Sequence, residues 1–284
     1  MAIAATSWGA LPVIIALADA PAPVLVAMRM GFGALALGLF LVVFGRTDLV
    51  PRSDRRLLAG IGVLLAVNWT LFFRAIQLIG ATAVLIGYLF PLLTAVSAPF
   101  VLRERRERYV LPLALVGFAG LAVILAPQVT AGRTEGALLA IGVAVAATLL
   151  LLGARRAVFG VAGPVVAFWQ NTTGALVLLP WALVVGLGGS VPWRWGIVLG
   201  VVHTALAGVL FFRAVGRVPA QEAGILMYLE PATAVLFAWA FDGTAPTGAE
   251  ILGGALVVGA GIALVLASAR SARRLAGTVT AGPA

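Results

Sequence analysis

The sequence contains no cysteine and no lysine, and His203 is its single histidine. The lack of cysteine excludes disulfides, thiolate metal sites and cysteine nucleophiles, and a single histidine excludes a histidine-rich metal site. Only 10% of the 284 residues are charged, whereas 62% are hydrophobic; soluble domains are about 25% charged and about 45–50% apolar. A soluble fold could not cover this much apolar surface, so the composition predicts an integral membrane protein.

Several signatures of chemistry are missing as well. The sequence has no GxxxxGK[ST] loop, which argues against direct use of ATP, and no Ser-His-Asp or HExxH pattern at the mouth of an apolar segment. We therefore expect no enzyme activity, no cofactor and no metal. The net charge of +9 comes from arginines in short clusters between apolar runs. This pattern favours a role in membrane orientation over nucleic-acid binding.

Ten apolar segments approach the length of roughly 20 residues that a helix needs to cross the hydrocarbon. The first is short, which leaves a longer native N-terminus open, and its end at residues 18–20 (Ala-Asp-Ala) resembles a signal-peptidase site. No positive region precedes that site, so we interpret the segment as a retained span. The predicted spans cover residues 2–17, 24–44, 57–78, 81–102, 109–126, 136–154, 163–186, 195–212, 220–241 and 248–269.

The placement of arginine predicts the orientation. With a cytoplasmic N-terminus, fifteen arginines, Arg46 among them, fall in the inner loops and the C-terminal tail. Only Arg133 and Arg194 fall in outer loops, and Arg29 and Arg74 lie within spans. Because positive residues accumulate on the cytoplasmic side, we expect both termini in the cytoplasm and a multi-pass protein of the inner (plasma) membrane.

A doubled stretch organises the chain. Residues 71–75 and 210–214 both read LFFRA, YLFP at 88–91 returns as YLEP at 228–231, and GLAVIL from Gly120 pairs with GIALVL from Gly261. The repeat predicts two units of five spans, residues 1–134 and 135–269, followed by a cytoplasmic tail at 270–284. An odd number of spans inverts the second unit, and inverted repeats are typical of secondary transporters. The alternative is a duplicated structural bundle without transport.

Further short motifs follow the same order in the two units. They are Trp8-Gly9, Pro23, Arg29, the 71–91 block and Glu104 in the first, and Gln170, the 210–231 block and the 253–261 stretch in the second. On these motifs the whole chain resembles the EamA-type transporters of the drug/metabolite transporter superfamily. The resemblance implies export of amino acids or other small metabolites across the bacterial inner membrane. Gln170 stands in place of Arg29 and Thr244 in place of Glu104, which puts a strictly symmetric site in doubt.

Polar side chains inside hydrocarbon are expensive and are therefore candidate functional groups. The Arg29 guanidinium suits a substrate carboxylate; alternatively it snorkels outward or ties spans together. Its counterpart Gln170 lies beside Trp169, and Asn68 lies beside Trp69 in the middle of span 3. Each amide either lines a cavity or forms hydrogen bonds between helices.

Two ionisable side chains, His203 and Glu230, are candidates for proton coupling, because each lies near the middle of a span. The alternative is a packed polar pair. Glu230 precedes Pro231, which bends its helix, as Pro91 does in the first unit. Aromatic side chains near the two bends and on span 1 complete the set. The candidate substrate-binding residues are Trp8, Arg29, Asn68, Trp69, Tyr88, Trp169, Gln170, His203, Tyr228 and Glu230.

These features predict an all-α integral membrane fold of ten transmembrane helices in two inverted-topology five-helix repeats. We expect a central cavity lined by spans 1–4 and 6–9, with spans 5 and 10 at the periphery. The predicted function is export of amino acids or related small metabolites by alternating access. The alternatives are a multidrug exporter of lipophilic compounds and a non-transporting membrane structural subunit.

Two details of the surface complete the expectations. The glycine-rich stretches suit either close packing within the chain or a dimer face, so a monomer and a homodimer both stay open. Glu104 and Glu107 alternate with arginines in RERRER. This alternation predicts a solvated cytoplasmic loop.

Overall fold

The computed structural model describes residues 1–45, 50–129, 134–186, 192–243 and 245–280, and every regular element within these ranges is helical. A 3₁₀ turn, Ala126–Gln128, follows α7, and a π-helical segment, Val201–Leu206, joins α10 to α11. The α-helices are α1 Ala2–Trp8, α2 Leu11–Ala18, α3 Ala22–Val43, α4 Arg52–Ile79, α5 Ala81–Gly87, α6 Phe90–Val101, α7 Val110–Leu125, α8 Thr134–Ala157, α9 Gly163–Gly186, α10 Trp193–Gly200, α11 Ala207–Val215, α12 Ala220–Leu226, α13 Leu229–Asp242 and α14 Gly248–Thr280.

Eight helical stretches of the described chain are long and apolar enough to cross a membrane. They are Pro23–Val43, Arg52–Ile79, Ala81–Val101, Thr134–Ala157, Gly163–Val185, Trp193–Val215, Ala220–Phe241 and Gly248–Ser271. The predicted spans 1 and 5 correspond to shorter apolar helices, Ala2–Ala18 and Val110–Leu125. The chain is therefore an all-helical, multi-pass membrane protein with eight candidate spans.

Several of the predicted spans are interrupted rather than continuous. Span 4 breaks between α5 and α6, and span 9 breaks between α12 and α13. Pro91 and Pro231 explain these two breaks, since each lies in the first turn of the helix that follows, where the missing N–H needs no partner. Span 8 runs through the π-helical segment, which the sequence did not predict; such segments are frequent at functional sites.

Glycines bring several helices into close contact. A Cβ on Gly120 of α7 would overlap the carbonyl oxygen of Gly253 in α14, and a Cβ on Gly33 of α3 would overlap the side chain of Thr204. Small residues allow such approach where lipid supplies no hydrophobic driving force. These glycines therefore allow close helix packing within the chain, whereas a Cβ added to Gly254 would lie in open space.

The prediction of a solvated loop is wrong for Glu104. Its side chain is only 10% exposed and forms an ion pair with Arg155 at 3.0 Å. Both carboxylate oxygens also accept the backbone N–H of Ala220, at 3.0 and 2.9 Å. Glu107 is more exposed, at 19%, and pairs with Arg105. Alternating charges in the sequence could not reveal that one carboxylate has distant donors from two other helices.

Some predictions fall on parts of the chain outside the described residues. Arg46, Arg133 and Thr244 lie there, so their places in the orientation and in the repeat stay predictions. At the C-terminus, α14 continues beyond the predicted end of span 10, residue 269, as far as Thr280. The predicted tail therefore begins as an extension of the last helix.

Candidate functional site

A cavity of about 230 Å³ lies at the centre of the helical bundle. Its walls come from predicted spans 1–4 and 6–9, and no residue from the described helices α7 and α14 lines it. Substrate binding there stays a prediction, but the geometry brings most of the candidate residues together. The predicted residues that line the cavity are Trp8, Arg29, Asn68, Trp69, Tyr88, Gln170, His203 and Glu230.

Arg29 of α3 is held by contacts from two other spans. Its Nε donates a 2.9 Å hydrogen bond to the hydroxyl of Thr204, which in turn donates to the carbonyl oxygen of Leu199 at 2.9 Å. The guanidinium carbon lies 4.7 Å from the ring centre of Trp69, a cation–π distance. Within the described chain the two terminal nitrogens of Arg29 have no hydrogen-bond partner. Those nitrogens form an edge that suits a carboxylate.

His203 is held by span 1. Its backbone carbonyl accepts the indole N–H of Trp8 at 2.6 Å, and its Nδ1 lies 3.0 Å from the hydroxyl of Ser7. The ring is buried, and its Nε2 has no hydrogen-bond partner among the described residues. The π-helical segment thus carries two polar groups of the site, His203 and Thr204.

Glu230 lies in the first turn of α13, where the helix dipole favours a carboxylate. The side chains of Tyr88 and Glu230 both line the cavity. Tyr88 lies in the break between α5 and α6, and Glu230 follows the break between α12 and α13. The interruptions of the two repeat-related spans therefore meet at the cavity.

Arg29 and Glu230 line the same cavity without forming a direct ion pair. Burying a charge is costly unless another charge or hydrogen bonds compensate it. Opposite charges that share a small cavity at a distance are therefore suited to a molecule that carries both signs. The close ion pairs among the described residues are Arg74–Glu135, Arg105–Glu107 and Arg155–Glu104.

The amide side chains of the cavity differ in how they are satisfied. Asn68 donates to the carbonyl oxygen of Val143 at 3.1 Å, and Asn171 donates to that of Ala167 at 2.8 Å. Gln170 is 8% exposed, and its side-chain amide makes no hydrogen bond to another described residue. The residue lines the cavity, so the amide is accessible from the cavity and is not sealed inside the protein. Gln170 is therefore free to bind whatever fills the cavity.

Two candidate residues, Trp169 and Tyr228, are not among the residues that line the cavity. Trp169 packs against a hydrophobic cluster that includes Val166. Tyr228 is fully buried with its ring against Gly117, and its hydroxyl has no hydrogen-bond partner in the described part of the chain. Its ring centre lies 6.4 Å from that of Tyr88, so Tyr228 supports the cavity wall from behind.

The cavity also contains residues that the candidate set omitted. Thr204 positions Arg29 through a hydrogen bond. The sequence feature that could have identified it is its place directly after the single histidine. Phe72 and Phe211 occupy the same position of the two LFFRA copies, and both line the cavity. The doubled motif itself therefore pointed to two aromatic wall residues. No group of three or more metal-ligating side chains occurs among the described residues.

Comparison with known proteins gives a consistent family. The model of the EamA-like transporter family matches residues 1–126 and, a second time, residues 134–267. An uncharacterized transporter of Archaeoglobus fulgidus is 31% identical over 232 residues, which are 81% of this chain and 82% of that protein. The threonine/homoserine exporter RhtA of Salmonella typhimurium is 28% identical over 252 residues, 86% of this chain and 82% of RhtA.

The fold is also found in a solved structure. A solved crystal structure superposes on this chain with a TM-score of 0.79 at 25% sequence identity. The superposition covers 93% of this chain and 96% of the other. Because the family model matches nearly the whole length of this chain, the chain belongs to the EamA-like transporter family.

Proposed function

We propose that this transporter exports zwitterionic amino acids, or small metabolites of the same charge pattern, by alternating access. The observation that carries the proposal is the pair of opposite charges, Arg29 and Glu230, in one cavity without a direct ion pair. The terminal nitrogens of Arg29 receive the α-carboxylate, and Glu230 faces the α-ammonium group. A bound amino acid then compensates both charges at once.

The remaining walls suit the side chain of such a substrate. Phe72 and Phe211 supply apolar contact, and the unpartnered amide of Gln170 supplies a hydrogen-bonding group. A cavity of about 230 Å³ has room for an amino acid. The similarity to RhtA, a threonine/homoserine exporter, supports an amino acid of this size.

Alternating access is supported by the way the helices pair. Under the predicted repeat, α3 corresponds to α9, α7 to α14 and α6 to α13, and the first two pairs pack directly against each other. Helix α4 of the first unit packs on α8 of the second, and α11 of the second packs on α1 of the first, which is the reciprocal pairing expected of two repeats related by a two-fold axis. The family model also matches once in each unit. We infer ten transmembrane helices in two inverted repeats that rock about the cavity.

Orientation and energy source follow the same proposal. The arginine-rich loops face the cytoplasm, so the protein lies in the inner (plasma) membrane with both described ends inside. Glu230, with Tyr88 and Arg29 facing it, is the group that exchanges a proton between the two sides. His203 is the second candidate for that role.

Uptake into liposomes tests the proposal. Purified protein is reconstituted, a mixed pool of amino acids and metabolites is offered under a pH gradient, and the lumen is read by mass spectrometry against protein-free liposomes. We expect enrichment of a few amino acids, and loss of that enrichment in Arg29→Gln. Enrichment of anions or of nothing, with folded protein confirmed, would overturn it.

One other function has a specific observation in its favour. The aromatic wall and the Glu230 carboxylate together resemble a site for lipophilic cations. Arg29 disfavours this alternative, because a cation in the same cavity meets a like charge. Binding of tetraphenylphosphonium by the purified protein, lost in Glu230→Gln and retained in Arg29→Gln, would favour it.

A further inference from the structure

The segment between α6 and α7 is bonded to the start of α12 at three successive residues. Glu104 accepts the backbone N–H of Ala220, and the carbonyl oxygen of Arg105 accepts the side-chain N–H of Gln221 at 2.6 Å. The hydroxyl of Tyr109 donates to the carboxylate of Glu222 at 2.7 Å. Residues 104–109 belong to the first predicted unit and residues 220–222 to the second, so every one of these bonds crosses between units.

Arg155, near the end of α8, completes the cluster. Its Nε pairs with Glu104 at 3.0 Å, and its Nη1 donates to the carbonyl oxygen of Val215. The guanidinium carbon lies 4.6 Å from the ring centre of Phe159. Arg155 and Glu104 are 11% and 10% exposed at their side chains, so this ion pair is shielded from solvent.

The residues of α12 in the cluster are buried too. Ala220, Gln221 and Glu222 are 0%, 1% and 5% exposed. The hydroxyl of Tyr109 carries its proton at physiological pH and so donates to Glu222. Each of these bonds therefore has a buried partner on α12, which gives it more strength than a contact between two exposed groups has.

The cluster lies directly beyond one end of the cavity. Ala154 lines the cavity, and Arg155 follows it in α8. At the other end of α12, Met227 lines the cavity, and the helix is interrupted there before α13 begins at Leu229. Helix α12, seven residues long, thus joins the cluster to the candidate site.

We propose that Glu104, Arg155 and the start of α12 form a latch that closes the cavity on its arginine-rich side. Its bonds must part for a substrate to enter from that side, and α12 transmits the movement to the break before Glu230. The latch rests on the alternating access proposed above. A static structural staple is the alternative reading of the same contacts.

Site-directed labelling separates these readings without a substrate. The chain has no cysteine, so one introduced thiol reports one position. Ala154→Cys probes the end of the cavity at the latch, and Val26→Cys probes its opposite part. Each is labelled with a membrane-impermeant maleimide in right-side-out and inside-out vesicles, alone and together with Glu104→Gln.

A latch predicts reciprocal changes. Glu104→Gln leaves Arg155 without its charged partner, and loss of one charge-assisted hydrogen bond shifts an equilibrium by about tenfold or more. With Glu104→Gln added, we expect Ala154→Cys to react about tenfold faster from the arginine-rich side of the membrane. Val26→Cys should then react more slowly from the opposite side. Tyr109→Phe, which removes one hydroxyl, should shift both rates in the same directions by a smaller factor.

The control is Glu135→Gln, which removes one charge from the exposed Arg74–Glu135 pair, with side chains 54% and 58% exposed. It should leave both labelling rates unchanged. Unchanged rates in Glu104→Gln and Tyr109→Phe, or rates that rise equally from both sides, would show a staple and overturn the latch. If the protein took up no amino acid, the substrate proposal would fail. The labelling experiment uses no substrate, so it would still test the latch.

Discussion

The Nε of Arg29 donates a 2.9 Å hydrogen bond to the hydroxyl of Thr204. This bond joins α3 of the first predicted unit to the π-helical segment of the second, at the wall of the cavity. It engages Nε of the guanidinium, and within the described chain the terminal nitrogens have no hydrogen-bond partner. The candidate site thus contains residues of both predicted units.

Arg29→Gln should raise the KM for amino acid uptake by about 10- to 100-fold, because a hydrogen bond to a charged group is worth about 1.5–3 kcal/mol. Arg29→Lys keeps the charge but loses the planar fork, so it should recover only part of the affinity. Initial uptake rates in proteoliposomes give the comparison, with Arg74→Gln as the exposed control. An unchanged KM in Arg29→Gln would remove Arg29 from the site.

Gln170 should determine which substrate side chains are accepted. Its unpartnered amide can bind a hydroxyl, so threonine should be preferred over its isostere valine by about two- to tenfold, since one hydrogen bond contributes about 0.5–1.5 kcal/mol net. Gln170→Leu should bring the threonine-to-valine uptake ratio close to one, by loss for threonine and gain for valine. Asn171→Leu is the neighbouring control, since Asn171 is already bonded within its helix. An unchanged threonine-to-valine uptake ratio in Gln170→Leu would mean that the amide of Gln170 does not bind the substrate hydroxyl.

Glu230→Gln should uncouple transport from protons. Uptake by the unaltered protein should rise several-fold when a pH gradient is imposed, and uptake by the variant should be the same with and without the gradient. The glutamine keeps the size and the hydrogen-bonding capacity of the side chain but cannot carry a proton. His203→Gln is the matched comparison. Full dependence on the gradient in Glu230→Gln would exclude this carboxylate as the coupling group.

Gly120→Ala should destabilise the protein by about 1–3 kcal/mol, as overpacking of a tight contact does. The added methyl would overlap the Gly253 carbonyl and push α7 away from α14. Gly254→Ala adds the same methyl in open space and should be neutral or slightly stabilising, since alanine favours helix by about 1 kcal/mol over glycine. Thermal unfolding in detergent measures both. Equal melting temperatures would mean that the α7–α14 contact relaxes freely.

Much of the cavity lining could be predicted from the sequence, because polar groups within an apolar span are expensive and tend to face an interior cavity. Arg29, Gln170, His203 and Glu230 interrupt apolar runs, and all of them line the cavity. The two breaks could also be predicted, since Pro91 and Pro231 dictate where a helix restarts.

Other features depend on partners that are distant in sequence. Whether a tryptophan lines a cavity or packs behind it depends on helix rotation, so Trp169 could not be separated from Trp69. Likewise, the charge pattern around Glu104 is local, but its burial comes from Arg155 and Ala220, which lie far along the chain. The π-helical segment packs against α1 and α3, and no feature of its own residues distinguishes it from an ordinary helical turn.

The zwitterion claim is tested most directly by counterflow in proteoliposomes loaded with one transported amino acid. Three external probes are compared: the same amino acid in labelled form, its methyl ester, which lacks the carboxylate, and its N-acetyl derivative, which lacks the ammonium group. If Arg29 and Glu230 bind the two charges, only the intact amino acid should accumulate, and its accumulation should fall in both Arg29→Gln and Glu230→Gln. Equal accumulation of the ester or of the N-acetyl derivative would contradict a site that holds both charges of one substrate.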